Sequence, residues 1–250
     1  MGNLDGKKAV VVGASRGLGR GIAEALSRSG ASVLAIAREH RGLGELTAAC
    51  PSIQTAVAAA ADPTLAGTVL DAQDPDILAV VAGASPLLHP IHHHSWETFS
   101  LNWHVDVRLT FNWLREALLR PLRPGSRVLL MSSGAVLHGS PMSGGYAGAK
   151  ATIRFMAASA DDEAQRGPGN PGGRRAATAH PGHRAGARDG PQLRGARRGQ
   201  RGAVRQDARS AGHSGNAGQA LVTLASGELG SAVAYSLTGD DGLTPLPALA

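Results

Sequence analysis

A doubly wound α/β fold, one domain with a parallel sheet, is predicted by three features of this sequence. Short apolar runs alternate with helical patterns: Lys8–Val12, Ser32–Ala37 and residues 53–60, 77–81 and 128–131 read as strands. Continuous apolar runs of this kind belong to parallel strands buried on both faces. The first run passes directly into a glycine-rich turn and then an amphipathic helix over 17–29, the opening of a β-α unit. A chain of 250 residues is long enough for one sizeable core, and α/β domains of this length are commonly single.

Taken in order, Lys8–Val12 ends in Gly13-Ala14-Ser15-Arg16-Gly17-Leu18-Gly19. The glycines let the backbone turn tightly and approach a pyrophosphate, whose charge the N-terminus of the helix over 17–29 would meet. The second strand, Ser32–Ala37, is followed directly by Arg38, and Arg38 with Arg16 can hold a phosphate by charge-assisted contacts. The third strand, 53–60, is closed by Asp62, with a helix expected over 64–72 and a fourth strand over 77–81. The run His89-Pro90-Ile91-His92-His93-His94 invites a metal site, but consecutive side chains point in different directions and converge poorly on one ion. The rim of a cleft is the preferred reading, and no metal is expected. One long helix is expected from Ser95 to Leu119, ended by Pro121 and Pro124, with apolar positions recurring every three and four residues.

The strand over 128–131 leads to Ser133, whose hydroxyl belongs at a carboxyl end, where open α/β sheets bind ligands. Tyr146 follows by 13 residues, and Lys150 stands four further on. If a helix begins near Met142, positions i and i+4 stack on one face, and the ammonium lies one turn from the phenol. A cation there stabilises the phenolate left when the tyrosine gives up its proton, which is the arrangement of a proton donor.

Composition removes several function classes. One cysteine, Cys50, excludes a disulfide framework and a cysteine metal site, and no apolar run reaches the ~18 residues of a membrane span. The N-terminus enters a strand without a cationic leader, so no signal peptide is expected and the protein is expected to be cytoplasmic. The net charge of +6 arises in residues 167–216, which hold ten Arg against two Asp; elsewhere 15 basic residues face 17 acidic ones. With 3% aromatic residues and no aromatics interleaved in a basic stretch, nucleic acid is not expected as a partner.

Together the glycine spacing GxxxGxG, the strand ending in Ser132-Ser133 and the Tyr146-xxx-Lys150 pair resemble the short-chain dehydrogenase/reductase family. The resemblance covers residues 5–166 and resumes near Ala217. It implies a Rossmann-like fold, an NAD(P)-dependent alcohol dehydrogenase or ketone reductase, and a homodimer or homotetramer acting on a small carbonyl or alcohol. By that resemblance Ser133, Tyr146 and Lys150 are catalytic, with Tyr146 and Lys150 also touching the cofactor. Gly13, Ser15, Arg16, Gly17, Leu18, Gly19, Arg38, Asp62, Ala82 and Gly83 line its site, Asp62 at the adenine edge. Relatives that prefer NAD carry an acid at the tip of the second strand; Arg38 stands there instead, so NADP is favoured, although Glu39 leaves NAD open. Two departures stand out. Val80-Val81-Ala82-Gly83 occupies the place of the family's Asn-Asn-Ala-Gly, and Asp106 the place of a catalytic Asn tied to the lysine through water, with Asn102 the alternative one turn back. A nucleotide-binding member impaired in catalysis is the competing expectation.

After Arg166 the composition changes. Residues 167–216 contain 12 Gly, 10 Arg and 4 Pro, with Leu193 and Val204 the large aliphatics, too little apolar surface to offset ordering entropy. The family's sixth strand is due here, and 174–179 is not apolar, so that strand and the substrate lid are expected to be missing. Such composition is what GC-rich codons give out of frame. Writing residues 167–184 in allowed codons and reading one base later gives ALGIRVAAVLPRLIPVTG, an apolar strand and turn, so the segment reads as frameshifted. From Ala217 a helix is expected again, with a last strand over 231–237 and a closing turn at 239–242.

Overall fold

The β-branched run Lys8–Val12 forms β1, and the rest of the sheet is built outward from it. In the computed structural model, which describes residues 4–120, 122–166, 175–181, 209–227, 233–238 and 242–247, β1 is followed by α1 (Gly17–Arg28), β2 (Ser32–Ala37), α2 (His40–Ala49) and β3 (Gln54–Val57). Then come α3 (Pro63–Gln73), β4 (Ile77–Val80), a short 3-10 turn (Ile91–His93), α4 (Trp96–Asn102), a π turn (Trp103–Val107) and α5 (Arg108–Leu119). The second half holds β5 (Arg127–Met131), α6 (Ala135–His138), α7 (Gly145–Arg166), β6 (Arg175–Pro181), α8 (Arg209–Ser226), β7 (Ala234–Thr238) and β8 (Gly242–Pro245).

The strands lie in the order β3-β2-β1-β4-β5-β6-β7-β8, parallel throughout except for the antiparallel β7–β8 pair. The order turns back on itself between β1 and β4, the doubly wound arrangement expected. Alternation along β1 sends Val11 to one face and Val10 and Val12 to the other. Val11 packs with Ile22 and Leu26 of α1 and Leu221 and Val222 of α8. Val10 and Val12 pack with Trp113 and Leu114 of α5 and Ile153 and Ala157 of α7. Trp113 is fully buried and its indole donates to the Ala60 carbonyl at 2.9 Å, which satisfies its polar edge in the core.

Several boundaries differ from those the sequence predicts. The third strand is Gln54–Val57 rather than 53–60, because its one neighbour, β2, ends at Ala37, the partner of Val57. The fourth stops at Val80, where the N–H groups of Val81 and Ala82 both turn to the Val12 carbonyl at 2.9 Å and the chain peels away. The helix expected from Ser95 to Leu119 keeps helical backbone from Trp96 to Leu119, with the π turn Trp103–Val107 set into it rather than breaking it. The helix expected near Met142 begins at Gly145, after turns closed by Ser143 and Tyr146 N–H bonds.

The largest correction concerns residues 174–179, where no strand was expected. β6 forms at Arg175–Pro181 and pairs in parallel with β5 on one side and β7 on the other. A ladder is made by backbone N–H and C=O groups, so a slot between two strands can be filled by a segment without an apolar pattern. Helix α8 begins at Arg209 rather than Ala217, and the last parallel strand is Ala234–Thr238 rather than 231–237. The rest of 167–216, and most of the closing turn, lie outside the described residues.

Candidate active site

A cleft of about 590 Å³ opens at the carboxyl ends of β1, β2, β4 and β5, where the strand order reverses. One wall is the turn between β1 and α1. Gly13 has φ +97, and a side chain there would bring a Cβ to 2.6 Å of the Ala82 backbone. A Cβ on Gly19 would collide with the Gly13 carbonyl, so the turn closes this tightly only with glycine at both positions. Ser15, Arg16, Gly17 and Leu18 complete that wall, and the N-terminus of α1 points into the space.

Arg38 and Glu39 border the cleft beyond β2. Arg16 and Arg38 form no ion pair among the described residues, whereas nearby Arg20 and Arg41 are both bound to Glu45. Those two guanidinium groups hold the Glu45 carboxyl below its ordinary range, chiefly through their hydrogen bonds. Asp62 follows Ala59, Ala60 and Ala61 of the cleft wall, and its Oδ1 caps α3, accepting the Thr64 N–H at 2.9 Å.

The opposite wall carries the remaining residues singled out by the sequence. Ser133 is buried at the end of β5, and its hydroxyl accepts the Ala135 N–H at 3.2 Å. Tyr146 lies in the first turn of α7, half-buried, and the Lys150 ammonium sits 5.7 Å from its ring centre. Lys150 is itself buried, donating to the Met131 carbonyl at 3.3 Å and pairing with Asp106 at 3.2 Å. Asp106 is fully buried in the π turn; its Oδ1 accepts the Ala84 N–H at 2.7 Å and its Oδ2 the Asn102 amide at 3.3 Å. Asn102 also donates to the Ala84 carbonyl at 2.9 Å. Both residues considered for the helical position are therefore engaged, one as the lysine's partner and the other as its support. Their bonds to Ala84 also tie α4 and the π turn to the segment after β4, where the two expected asparagines are replaced by Val80 and Val81.

One contributor escaped the sequence reading. Ser132, adjacent to Ser133, donates from its buried hydroxyl to the Lys150 carbonyl at 2.8 Å and fastens α7 to β5. The histidine run, expected at the rim of a cleft, packs against the turn preceding Tyr146. His89 N–H donates to the Met142 carbonyl at 2.8 Å, and His94 Nε2 lies 2.8 Å from where a Cβ on Gly144 would stand. Both ring nitrogens of His94 are engaged, by Thr98 at 3.2 Å and the His89 carbonyl at 3.2 Å. Among the described residues no three His, Cys, Asp or Glu side chains cluster as metal ligands would, and no helix is long and apolar enough to cross a membrane.

The family described as short chain dehydrogenase matches residues 7–167. The L-xylulose reductase of Mesocricetus auratus is 33% identical over 105 residues, 42% of this chain and 43% of that protein. The carbonyl reductase (NADPH) 2 of Sus scrofa is 32% identical over 109 residues, 44% and 45% of the two chains. A hydroxynaphthalene reductase of Aspergillus fumigatus is 35% identical over 160 residues, 60% and 58%. The match thus spans less than half the length of the first two relatives. A solved short chain dehydrogenase from Mycobacterium avium shares the fold with a TM-score of 0.76 and 22% identity, over 100% of this chain and 87% of that one.

Proposed function

The chain belongs to the short-chain dehydrogenase family, and from that premise we propose that it is an oxidoreductase moving hydride between NADP(H) and a carbonyl or alcohol. The observation that carries this is one cleft bordered by the glycine turn, Arg16, Arg38, Ser133, Tyr146 and Lys150 together. The cradle fits the cofactor: Gly13 and Gly19 leave room that a Cβ would fill, beside the N-terminus of α1. The 2′-phosphate would be held by Arg16 and Arg38, the nicotinamide ribose by Lys150, and Ala82 and Gly83 allow close approach from β4.

When bound, the cofactor supplies or accepts the hydride. Ser133 holds the substrate oxygen where charge develops. Tyr146 gives that oxygen its proton in reduction, or takes it in oxidation, and the Lys150 ammonium stabilises the phenolate in between. Incubation with NADPH and a panel of aldehydes and ketones tests the reading. Substrate-dependent oxidation of NADPH is expected, and none across the panel overturns it. The names of the reductases quoted above support a small carbonyl as substrate.

One observation favours a second reading, a nucleotide-binding member without turnover: Val80 and Val81 stand where the resemblance leads one to expect two asparagines. NADPH binding with no turnover of any carbonyl is the result that reading predicts.

A further inference from the structure

We propose that Asp106 is a positioning residue acting through Lys150: its buried carboxylate is a built-in counter-charge that holds the ammonium at the cleft wall by direct contact. The proposal deepens the reading above and rests on it for the reaction that Lys150 serves. Three donors and no acceptor converge on the carboxylate, the Ala84 N–H on Oδ1 and the Asn102 amide and Lys150 ammonium on Oδ2. An ionised carboxylate accepts on both oxygens, whereas an asparagine would turn an NH₂ group toward one of these donors. The site is therefore complementary to Asp and mismatched to the Asn that the resemblance led one to expect.

Burial makes the charge consequential. Asp106 is 0% exposed and the Lys150 side chain 7%, so neither charge is met by bulk water. The other recorded acceptor of Lys150 is the neutral Met131 carbonyl at 3.3 Å. A buried cation left without its partner is strongly destabilising, so the pair stands or falls together. Space is made for it by Gly83, where a Cβ would come within 2.9 Å of Oδ2. The π turn Trp103–Val107 carries Asp106 at this point, and such turns recur at functional sites. An ammonium has three N–H donors. Asp106 and Met131 take two, leaving one for a hydroxyl in the cleft.

The test is chemical rescue. Asp106→Ala removes the carboxylate and opens a space at the cleft wall. Formate can occupy it with charge, and formamide has the same shape without charge. With formate, the thermal midpoint of Asp106→Ala is expected to rise in a saturable way, and the rise is expected to vanish in the Asp106→Ala, Lys150→Met double variant. Carbonyl reduction, at least ten-fold slower in Asp106→Ala, is expected to recover with formate and not with formamide or chloride. Equal effects of formate and formamide, or a formate shift that persists without Lys150, overturns the proposal. Should Asp106→Ala not fold, Asp106→Asn supplies the second arm. It is expected to lower the midpoint in the native background and raise it in the Lys150→Met background, where it removes an unpaired buried charge; the same sign in both backgrounds overturns the proposal. The thermal measurements need no turnover, so an absent reductase activity and an idle Asp106 give different results.

Discussion

At the scale of residues, cofactor choice turns on two arginines. Arg16 and Arg38 border the cleft without a carboxylate partner among the described residues, while Arg20 and Arg41 beside them are engaged by Glu45. NADPH is expected to bind at least ~10-fold more tightly than NADH, about 1.4 kcal/mol, and Arg38→Asp to reverse the order. Fluorescence titration of both nucleotides checks this, and equal affinities for the unaltered protein contradict it. The residues reached by local spacing were legible in the sequence: Tyr146 and Lys150 share a helix face, and the glycines follow a strand. Partners distant in the chain were not. Counting pointed to Asp106 with Asn102 one turn back as the alternative, but it could not show that both engage Ala84, a residue distant in sequence, or that Asp106 is the one paired with Lys150. Asp62 shows the reverse case, since Asp62-Pro63-Thr64 already spelled a helix cap that the motif reading passed over.

At the scale of elements, the amino ends of the strands are held by Asp76, just before β4. Burial pushes its carboxyl up, but the Lys8 backbone N–H, the Lys7 ammonium and the Arg123 charge together outweigh this and hold it below its ordinary value. A depressed carboxyl contributes stability that is complete above the unfolded value of about 3.9 and is lost as pH falls through the lower folded value. Asp76→Asn is therefore expected to cost about 1–2 kcal/mol near neutral pH, and the difference from the native protein to close as pH falls through the carboxyl's lowered folded value. Urea unfolding at a series of pH values measures it, and a constant difference contradicts the assignment. Strand β6 gives the second prediction at this scale. Paired with β5 over 175–179 and with β7 over 178–181, the amides of 175–180 are expected to exchange with solvent as slowly as those of β5, and rapid exchange contradicts the ladder. Apolar pattern made β1, β2, β4 and β5 legible; β6 was illegible because its pairing is carried by the backbone.

At the scale of the whole molecule, the switch of strand order between β1 and β4 opens one cleft, and the nucleotide wall and the catalytic wall face each other across it. Fold class could be read from alternation and the first turn alone, since both are local patterns repeated along the chain. The Arg- and Gly-rich stretch within 167–216 stood apart because no side-chain periodicity runs through it. Our explanation for its composition is a shifted reading frame, and repeated sequencing of the gene is expected to show the shift; an uninterrupted frame contradicts it. The function proposed for the molecule rests more narrowly, on Tyr146 as the group that exchanges a proton with substrate. The direct measurement is the rate of carbonyl reduction by Tyr146→Phe, with NADPH affinity and thermal midpoint recorded on the same preparation. Loss of the transferable proton is expected to lower the rate at least ~100-fold, the lower end of what a positioned acid contributes, with the midpoint nearly unchanged. A Tyr146→Phe protein that binds NADPH and reduces the carbonyl at the native rate would contradict the account.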